Sequence, residues 1–293
     1  MKYRVTHTTR YRYNKPVSTC HNVGHLRLRS TSQQTCGSSR LTIDPVPAVT
    51  HQWQDLFGNM LDYFTIHAPH TELTVTIQSE VEVVSAGTLL DTAYPVSWEQ
   101  ARDYLQSESG DEQAIEACQF VFESQFVEFT PDVADYSAAS LTPGRSLLDA
   151  VEDLMSRIHS DFTYDPEFSD IATPLSDVLE HRKGVCQDFA HLAIACLRSQ
   201  GLAARYVSGY LETLPPEGGE RLVGADESHA WFSVFVPYRG WVDFDPTNDQ
   251  IPADQHITAA WGRDYADVAP LKGVLFGGGK GHELKVSVDV ERL

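Results

Sequence analysis

Cys186 is the residue of this 293-residue chain whose position is best suited to chemistry. It follows Gly184-Val185 and opens a segment whose apolar spacing predicts a helix from about Cys186 to Gln200, closed by Gly201 as a left-handed cap. Unpaired backbone N–H groups and the helix dipole favour an anion at a helix N-terminus. Cysteines in such positions ionise readily and act as nucleophiles. The sequence therefore predicts a nucleophilic thiol.

A nucleophilic thiol needs a base, and the base needs an orienting group. His229 opens a predicted strand, and the returning strand of the same hairpin carries Asp243 and Asp245. With an even-length loop, the Asp245 side chain would point away from His229. We therefore predict an odd connection or a bulge between Phe235 and Trp241, which turns that carboxylate towards the histidine. Asp243 has the same parity along the strand, so the hairpin alone does not choose between the two aspartates.

Four further residues are candidates for the wall of the site or for donors to an oxyanion: Tyr164, Gln187, Asp188 and Trp231. For two of them the sequence leaves a structural alternative open. Tyr164 also fits a buried structural tyrosine. Asp188 lies in the first turn of the predicted helix, where a carboxylate also stabilises the helix dipole.

The cysteines and histidines do not form a pattern typical of a metal site or of disulfides. The five cysteines are odd in number, widely spaced and without a CxxC pair, which argues against a disulfide framework and a four-cysteine zinc site. A helix places each of Cys186, His191 and Cys196 about 140° around its axis from the one before. Their side chains therefore point in three different directions. We expect no metal and no other cofactor, and a zinc hydrolase is disfavoured.

The composition excludes several classes of function. Lys and Arg number 22 against 41 Asp and Glu, giving a formal net charge of −19. This argues against nucleic-acid binding, because phosphate contacts need clustered basic side chains. No stretch approaches the roughly 18 apolar residues of a membrane span, and the first residues lack the apolar core of roughly 7–15 residues found in signal peptides. We expect a cytoplasmic protein that binds neither nucleic acid nor membrane; its oligomeric state is left open.

Along the chain, the spacing of apolar residues changes from a pattern typical of strands to one typical of helices. Up to about residue 85, polar and apolar residues alternate with many β-branched and aromatic types, which predicts a small antiparallel sandwich. From about residue 97 the apolar spacing becomes helical, most clearly over 146–159, while Pro131 indicates a loop. These patterns divide the chain into an N-terminal β domain (1–90), a catalytic domain (91–270, with its core at about 150–250) and a C-terminal strand (271–293) expected to pair with the N-terminal domain.

Charge is distributed unevenly between the two predicted domains. Residues 1–45 hold eight basic residues and one acidic residue, whereas residues 87–180 hold three basic and twenty acidic residues. Because opposite charges attract and no Gly/Ser-rich spacer separates the domains, we expect them to pack together. The charge pattern places a partly polar interface near residues 87–180.

Several segments carry a resemblance to the transglutaminase-like superfamily. Its core motifs resemble Gly184-Val-Cys-Gln-Asp-Phe-Ala-His191, Ala204-Arg-Tyr-Val-Ser-Gly-Tyr210, His229-Ala-Trp231 and Trp241-Val-Asp-Phe-Asp-Pro-Thr247. The N-terminal strands and Gly262–Pro270 are similar to the family's bacterial members, which are described as cysteine proteases. The resemblance implies a catalytic triad of Cys186, His229 and Asp245 in this chain order, and it selects Asp245 over Asp243.

The resemblance also implies a fold and an activity. The expected fold is α+β: an N-terminal antiparallel β-sandwich and a papain-like, transglutaminase-like core in which the helix bearing the nucleophile packs on an antiparallel sheet. The expected reaction is attack of the thiolate on a peptide or carboxamide carbonyl of a peptide or protein substrate, giving a thioacyl intermediate. Water would make the protein a protease or amidase, and an amine acceptor would make it a cross-linking enzyme; we favour hydrolysis. A non-catalytic scaffold is the alternative, although a scaffold has no use for a thiol at a helix start.

Overall fold

The computed structural model describes residues 1–84, 96–107, 111–212 and 228–293. The strands are β1 (Lys2–Gly24), β2 (Gln34–Asp44), β3 (Val49–Gln54), β4 (Met60–Ile66), β5 (His70–Val83), β6 (Thr163–Tyr164), β7 (Lys183–Gly184), β8 (Ala204–Leu211), β9 (Ser228–Val236), β10 (Gly240–Phe244), β11 (His256–Gly262), β12 (Leu271–Gly277) and β13 (His282–Arg292). The helices are α1 (Trp98–Gln106), α2 (Glu112–Cys118), α3 (Pro131–Ala138), α4 (Leu147–Asp161), α5 (Leu175–His181), α6 (Cys186–Ser199) and α7 (Tyr265–Val268). Within these ranges, none of the helices is long and apolar enough to cross a bilayer.

The long strand β1 organises a seven-stranded antiparallel sheet. Its first half pairs with β5 and β13, and its second half pairs with β4 and β12. Buried and partly exposed residues alternate along the first part of β1, as the alternating sequence requires of a sheet with one covered face. Apolar side chains of the strands that pair with the two halves of β1, such as Phe64 of β4 and Val75 of β5, share one buried cluster. The strand at the C-terminal end, β13, pairs with β1 from Tyr3 to Tyr13.

The domain expected to be catalytic is built on a four-stranded antiparallel sheet with the strand order β10-β9-β8-β11. Helix α6 packs against β8 and β9 on one side and contacts α3, α4 and α5 on the other. Every residue of α6 from Asp188 to Arg198 is buried, as expected of a helix enclosed on all sides. The fold is therefore the expected α+β arrangement, with the helix that begins at Cys186 packed on an antiparallel sheet.

Three elements differ from the sequence-based expectation: the start of α3, strand β11, and the single strand expected over 271–293, which is the two strands β12 and β13. Pro131 begins helix α3 and does not lie in a loop: it occupies the first helical position, and the Thr130 hydroxyl caps the helix by accepting from the Val133 N–H at 3.3 Å. Proline is favoured at this position because its missing N–H would be unpaired anyway. Strand β11 has no counterpart in the sequence analysis, and it forms one edge of the four-stranded sheet.

Two amide side chains of the N-terminal domain cover the edge of β11 that does not pair with β8. Gln34 donates to the Thr258 carbonyl at 2.7 Å and accepts from the Thr258 N–H at 2.9 Å. Asn59 makes the same pair of bonds with Trp261, at 2.8 and 3.0 Å. Both amides are buried. They therefore satisfy backbone groups of an edge strand that would otherwise lack partners.

Apolar packing completes the contact between the two domains. Tyr3 and Val290 of the large sheet share a buried cluster with Tyr210 and Ile257 of the four-stranded sheet, and the Tyr210 hydroxyl lies 2.9 Å from His7 Nδ1. The described contacts therefore lie mainly on β8 and β11, while residues 87–180 contribute a smaller part, in which the Phe120 ring packs against Phe57 with 5.7 Å between centroids. Acidic surface groups are satisfied by water, whereas the apolar face and backbone of an edge strand need protein partners.

Replacing Gln34 by leucine is expected to lower the free energy of unfolding by about 1–3 kcal/mol, because the buried N–H and C=O of Thr258 would lose their partners. The measurement is the urea midpoint at unchanged m-value. Gln33→Leu is the matched control, since the neighbouring Gln33 side chain is exposed. Equal midpoints for the two variants would contradict the assigned role of Gln34.

Candidate active site

Cys186 lies at the first position of α6, and its surroundings hold that helix start in place. The buried carboxylate of Asp188 accepts the Val185 N–H at 2.8 Å and the Ser169 hydroxyl at 2.6 Å. Burial raises the pKa of Asp188 against the effect of these bonds. A Cβ on Gly184 would lie 2.8 Å from the Asp188 Cβ, so only glycine allows this approach. Of the two roles that the sequence allowed for Asp188, the structure shows the structural one. Its carboxylate caps the helix that begins at Cys186.

The β9–β10 hairpin brings the predicted base and carboxylate together. Gly240 pairs with Val236 and Phe244 with Phe232, so the connection spans residues 237–239. The prediction of an odd connection is confirmed. This register turns the Asp245 side chain to the correct face, and its Oδ2 lies 2.8 Å from His229 Nε2.

Asp245 is completely buried and surrounded by N–H donors. Its Oδ1 accepts from the backbone of Thr247 at 3.0 Å and of Asn248 at 3.3 Å. Its Oδ2 accepts from His229, from the Asn248 side chain at 2.8 Å and from His256 Nε2 at 3.0 Å. Burial alone would raise the pKa of Asp245, but the hydrogen bonds with His229 and His256 hold it well below its usual range. The carboxylate is therefore ionised.

His229 lies between the carboxylate and the thiol. Burial disfavours its charged form, but the hydrogen bonds with Asp245 and Cys186, together with their negative charges, raise the pKa of His229 to about 10. Because Asp245 occupies Nε2, the nitrogen left for Cys186 is Nδ1. This geometry favours an imidazolium that stabilises a thiolate, which is the reactive form of cysteine.

The second aspartate of the hairpin, Asp243, has other partners. It accepts from Trp231 Nε1 at 3.1 Å and from the Ser233 hydroxyl. Trp231 is completely buried, and its ring lies 6.0 Å from that of His229. A Cβ on Gly209 would lie 2.5 Å from the Trp231 ring, so glycine makes room for the indole. Trp231 is therefore buried next to His229 and packs beside its ring. It does not line an open wall of the site.

The two remaining wall candidates lie beside the start of α6. Tyr164 of β6 pairs with Gly184 of β7 and is 47% exposed, so it is not the buried structural tyrosine that the sequence also allowed. Gln187 is partly exposed next to Cys186 in the sequence. Both positions suit contact with a substrate, and an oxyanion role for either stays a prediction.

Two residues of the site were missed by the sequence analysis. Asn248 follows Asp245 by three residues, a spacing at which an aspartate commonly accepts from the following turn, and this signal could have identified it. His256 lies in a strand with no recognised pattern. The other histidine near the nucleophile in the sequence, His191, is packed in the core: its Nε2 accepts from the Tyr265 N–H at 3.1 Å, and burial lowers its pKa to about 3.

One group of described residues has the spacing required to hold a metal ion. The ligand atoms of His229, Asp245 and His256 all lie within 4.8 Å of one another. Each of these atoms also belongs to the hydrogen-bond network around Asp245. A metal ion at this position would therefore have to displace the bonds that orient His229.

A thiol at a helix start, paired with an imidazole that a buried carboxylate orients, defines the class of cysteine-nucleophile sites. Residues 3–82 match the bacterial transglutaminase-like N-terminal region, and residues 134–246 match the transglutaminase-like superfamily. Together with the fold, these matches show that the chain belongs to the transglutaminase-like superfamily.

Known proteins resemble the chain over different lengths. An uncharacterized protein of Mycobacterium tuberculosis is 44% identical over 295 residues, which cover 99% of this chain and 92% of the relative. A protein-glutamine gamma-glutamyltransferase of Pseudomonas aeruginosa is 33% identical over 106 residues, covering 34% of this chain and 16% of that protein. The crystal structure of a proposed cysteine protease from Cytophaga hutchinsonii superimposes with a TM-score of 0.73 at 17% identity, covering 99% of this chain and 98% of that one. At this identity the structure shows a common fold.

Proposed function

We propose that the protein is a cysteine-nucleophile acyl-transfer enzyme that hydrolyses peptide or carboxamide bonds, with Cys186, His229 and Asp245 as its catalytic residues. One observation carries the proposal: the His229 ring is hydrogen-bonded to a fully buried carboxylate through Nε2 and to the thiol at the start of α6 through its other side. Such an arrangement supplies a nucleophile, a proton carrier and an orienting group in the order that acyl transfer requires.

The reaction proceeds in two balanced steps. The Cys186 thiolate attacks the carbonyl carbon, and the C–N bond breaks while the His229 imidazolium gives its proton to the departing amine or ammonia. The product of this step is a thioester on Cys186. Water then gives a proton to His229 and attacks the thioester, releasing the acid and restoring the thiolate–imidazolium pair. Asp245 stays ionised throughout and holds the imidazole through Nε2.

An amine acceptor is the second candidate for the same thioester. The region shared with the P. aeruginosa protein-glutamine gamma-glutamyltransferase supports it. The first step is identical, and only the second differs, since a primary amine replaces water and forms a new amide. We favour hydrolysis because water reaches any thioester that an amine can reach, while cross-linking of neighbouring proteins would be harmful to a cell.

Mass spectrometry of a peptide library that contains glutamine residues tests the proposal. The library is incubated with the protein, with and without a primary amine. Cleaved peptides or glutamines converted to glutamate would support hydrolysis, while products carrying the amine would support transfer. The Cys186→Ala variant is the control and should form neither. A library left unchanged by the wild-type protein would contradict both activities and favour a scaffold.

A further inference from the structure

We infer that His256 is a positioning residue for this site: its Nε2–H fixes the orientation of the Asp245 carboxylate, which in turn orients His229. The inference rests on the proposed function, since it assigns a role within the same acyl-transfer site. His256 is the first residue of β11, and its side chain is 4% exposed. It does not contact the reacting atoms, so its effect must pass through Asp245.

The geometry fixes the tautomer of His256. An ionised carboxylate can only accept hydrogen bonds, so the proton of the 3.0 Å contact between His256 Nε2 and Asp245 Oδ2 must lie on the histidine. The same oxygen binds His229 Nε2 at 2.8 Å. Donors from β9, from the turn after β10 and from β11 therefore converge on one oxygen. Loss of the donor from β11 would leave the carboxylate free to turn away from His229.

Packing alone does not explain a histidine at this position. Its Nδ1 is buried and has no hydrogen-bond partner among the described residues. Burying an unpaired polar atom costs free energy that an apolar side chain would avoid. The ring is held edge-on against Trp231, with 5.2 Å between centroids. The indole thus fixes the imidazole ring in the plane that directs Nε2 at the carboxylate. The N–H donor at Nε2 is therefore what explains a histidine at this position.

The strand that carries His256 is itself anchored by the N-terminal domain. Gln34 binds both backbone groups of Thr258, two residues beyond His256, and Asn59 binds those of Trp261. The large sheet therefore holds β11 in register against β8. Through His256, this contact extends to the orientation of Asp245.

Two substitutions of His256 distinguish the effect of its N–H donor from the effect of its ring volume. His256→Phe keeps a ring but removes the donor, while His256→Gln removes the ring and keeps an N–H at nearly the same place. The readouts are the rate at which iodoacetamide alkylates Cys186 at pH 6, and kcat and KM for a cleaved peptide. We expect His256→Phe to lose about 10- to 100-fold in alkylation rate and kcat with KM unchanged, and His256→Gln to stay within about threefold of the wild type on both.

Equal rates for His256→Phe and the wild type would overturn the inference, and so would equal losses in both variants. Alkylation needs no substrate, so the two proposals can fail separately. A wild-type Cys186 that reacts no faster than the other thiols would contradict the proposed function, whereas a fast wild-type rate retained in His256→Phe would contradict only the role of His256. If neither variant folds, ¹⁵N-histidine NMR of the wild type decides: the proton must lie on Nε2 of His256, and a proton on Nδ1 alone overturns the inference.

Discussion

Iodoacetamide is expected to alkylate Cys186 of the native protein at least tenfold faster than the other cysteines at pH 6, and His229→Ala should remove most of this advantage. At this pH an ordinary thiol with a pKa of about 8.5 is less than about 1% ionised. A neighbouring imidazolium favours the thiolate over the thiol, and the thiolate is the reactive species. Mass spectrometry of peptides from briefly treated protein gives the labelling of each cysteine.

The other thiols serve as internal controls. Cys196 is completely buried, and burial raises its pKa to about 12. Burial also raises the pKa of Cys20 and Cys36. Cys118 is partly exposed, like Cys186, but is not at a helix start. Equal labelling of Cys118 and Cys186 in the native protein would contradict the assignment of the nucleophile.

Replacing Asp245 by asparagine should lower kcat by about 10³-fold or more, as removal of the orienting charge does in other triads. The pKa of His229 is raised by Asp245 and Cys186, so without the carboxylate charge it falls. The imidazolium is then lost near neutral pH. In the wild type we expect fast alkylation of Cys186 already at pH 6, whereas in Asp245→Asn the rate should rise only as the pH approaches that of ordinary thiol ionisation.

Asp243→Asn is the matched control, because Asp243 lies on the same face of the same hairpin but binds Trp231 and Ser233. It should change the urea midpoint and leave the pH profile of Cys186 alkylation in place. A normal profile in Asp245→Asn together with an altered one in Asp243→Asn would show that the third member of the triad is wrongly assigned.

The same ion pair links stability to pH. His229 binds its proton more tightly in the folded protein than in the unfolded chain, so its contribution to stability is fully present below the unfolded pKa of about 6.5 and is lost as the pH rises towards 10. We expect the free energy of unfolding of the wild type to fall over this window relative to that of Asp245→Asn. Parallel curves for the two proteins would contradict the raised pKa of His229.

Local patterns predicted those parts of the site that depend on neighbouring residues in the sequence. The Gly-Val-Cys start and Gly201 define α6, because helix ends are set by a few residues. Side-chain alternation predicted the odd connection of the hairpin, since a shift of one residue turns every side chain to the other face. Alternation did not choose between Asp243 and Asp245; the resemblance to the family did.

The residues that the sequence did not predict depend on contacts between distant segments. His256 reaches Asp245 because β11 pairs with β8, far away in the chain, and because Gln34 and Asn59 cover its free edge. Pro131 is an exception that depends on its neighbours: proline both interrupts helices and favours their first position, and the adjacent Thr130 cap distinguishes the two. The charge pattern did not predict that most of the described contacts lie on β8 and β11, because solvated carboxylates need no protein partner.

Trapping an acyl-enzyme tests whether Cys186 is the nucleophile of this protein. The protein is mixed with an activated acyl ester, p-nitrophenyl acetate, quenched with acid, and analysed by intact-mass and fragment mass spectrometry. We expect one acetyl group on Cys186, removed by neutral hydroxylamine as a thioester is, and absent from Cys186→Ala. An acetyl group on a different residue that persists in Cys186→Ala, or no adduct while the ester is still turned over by both proteins, would contradict it.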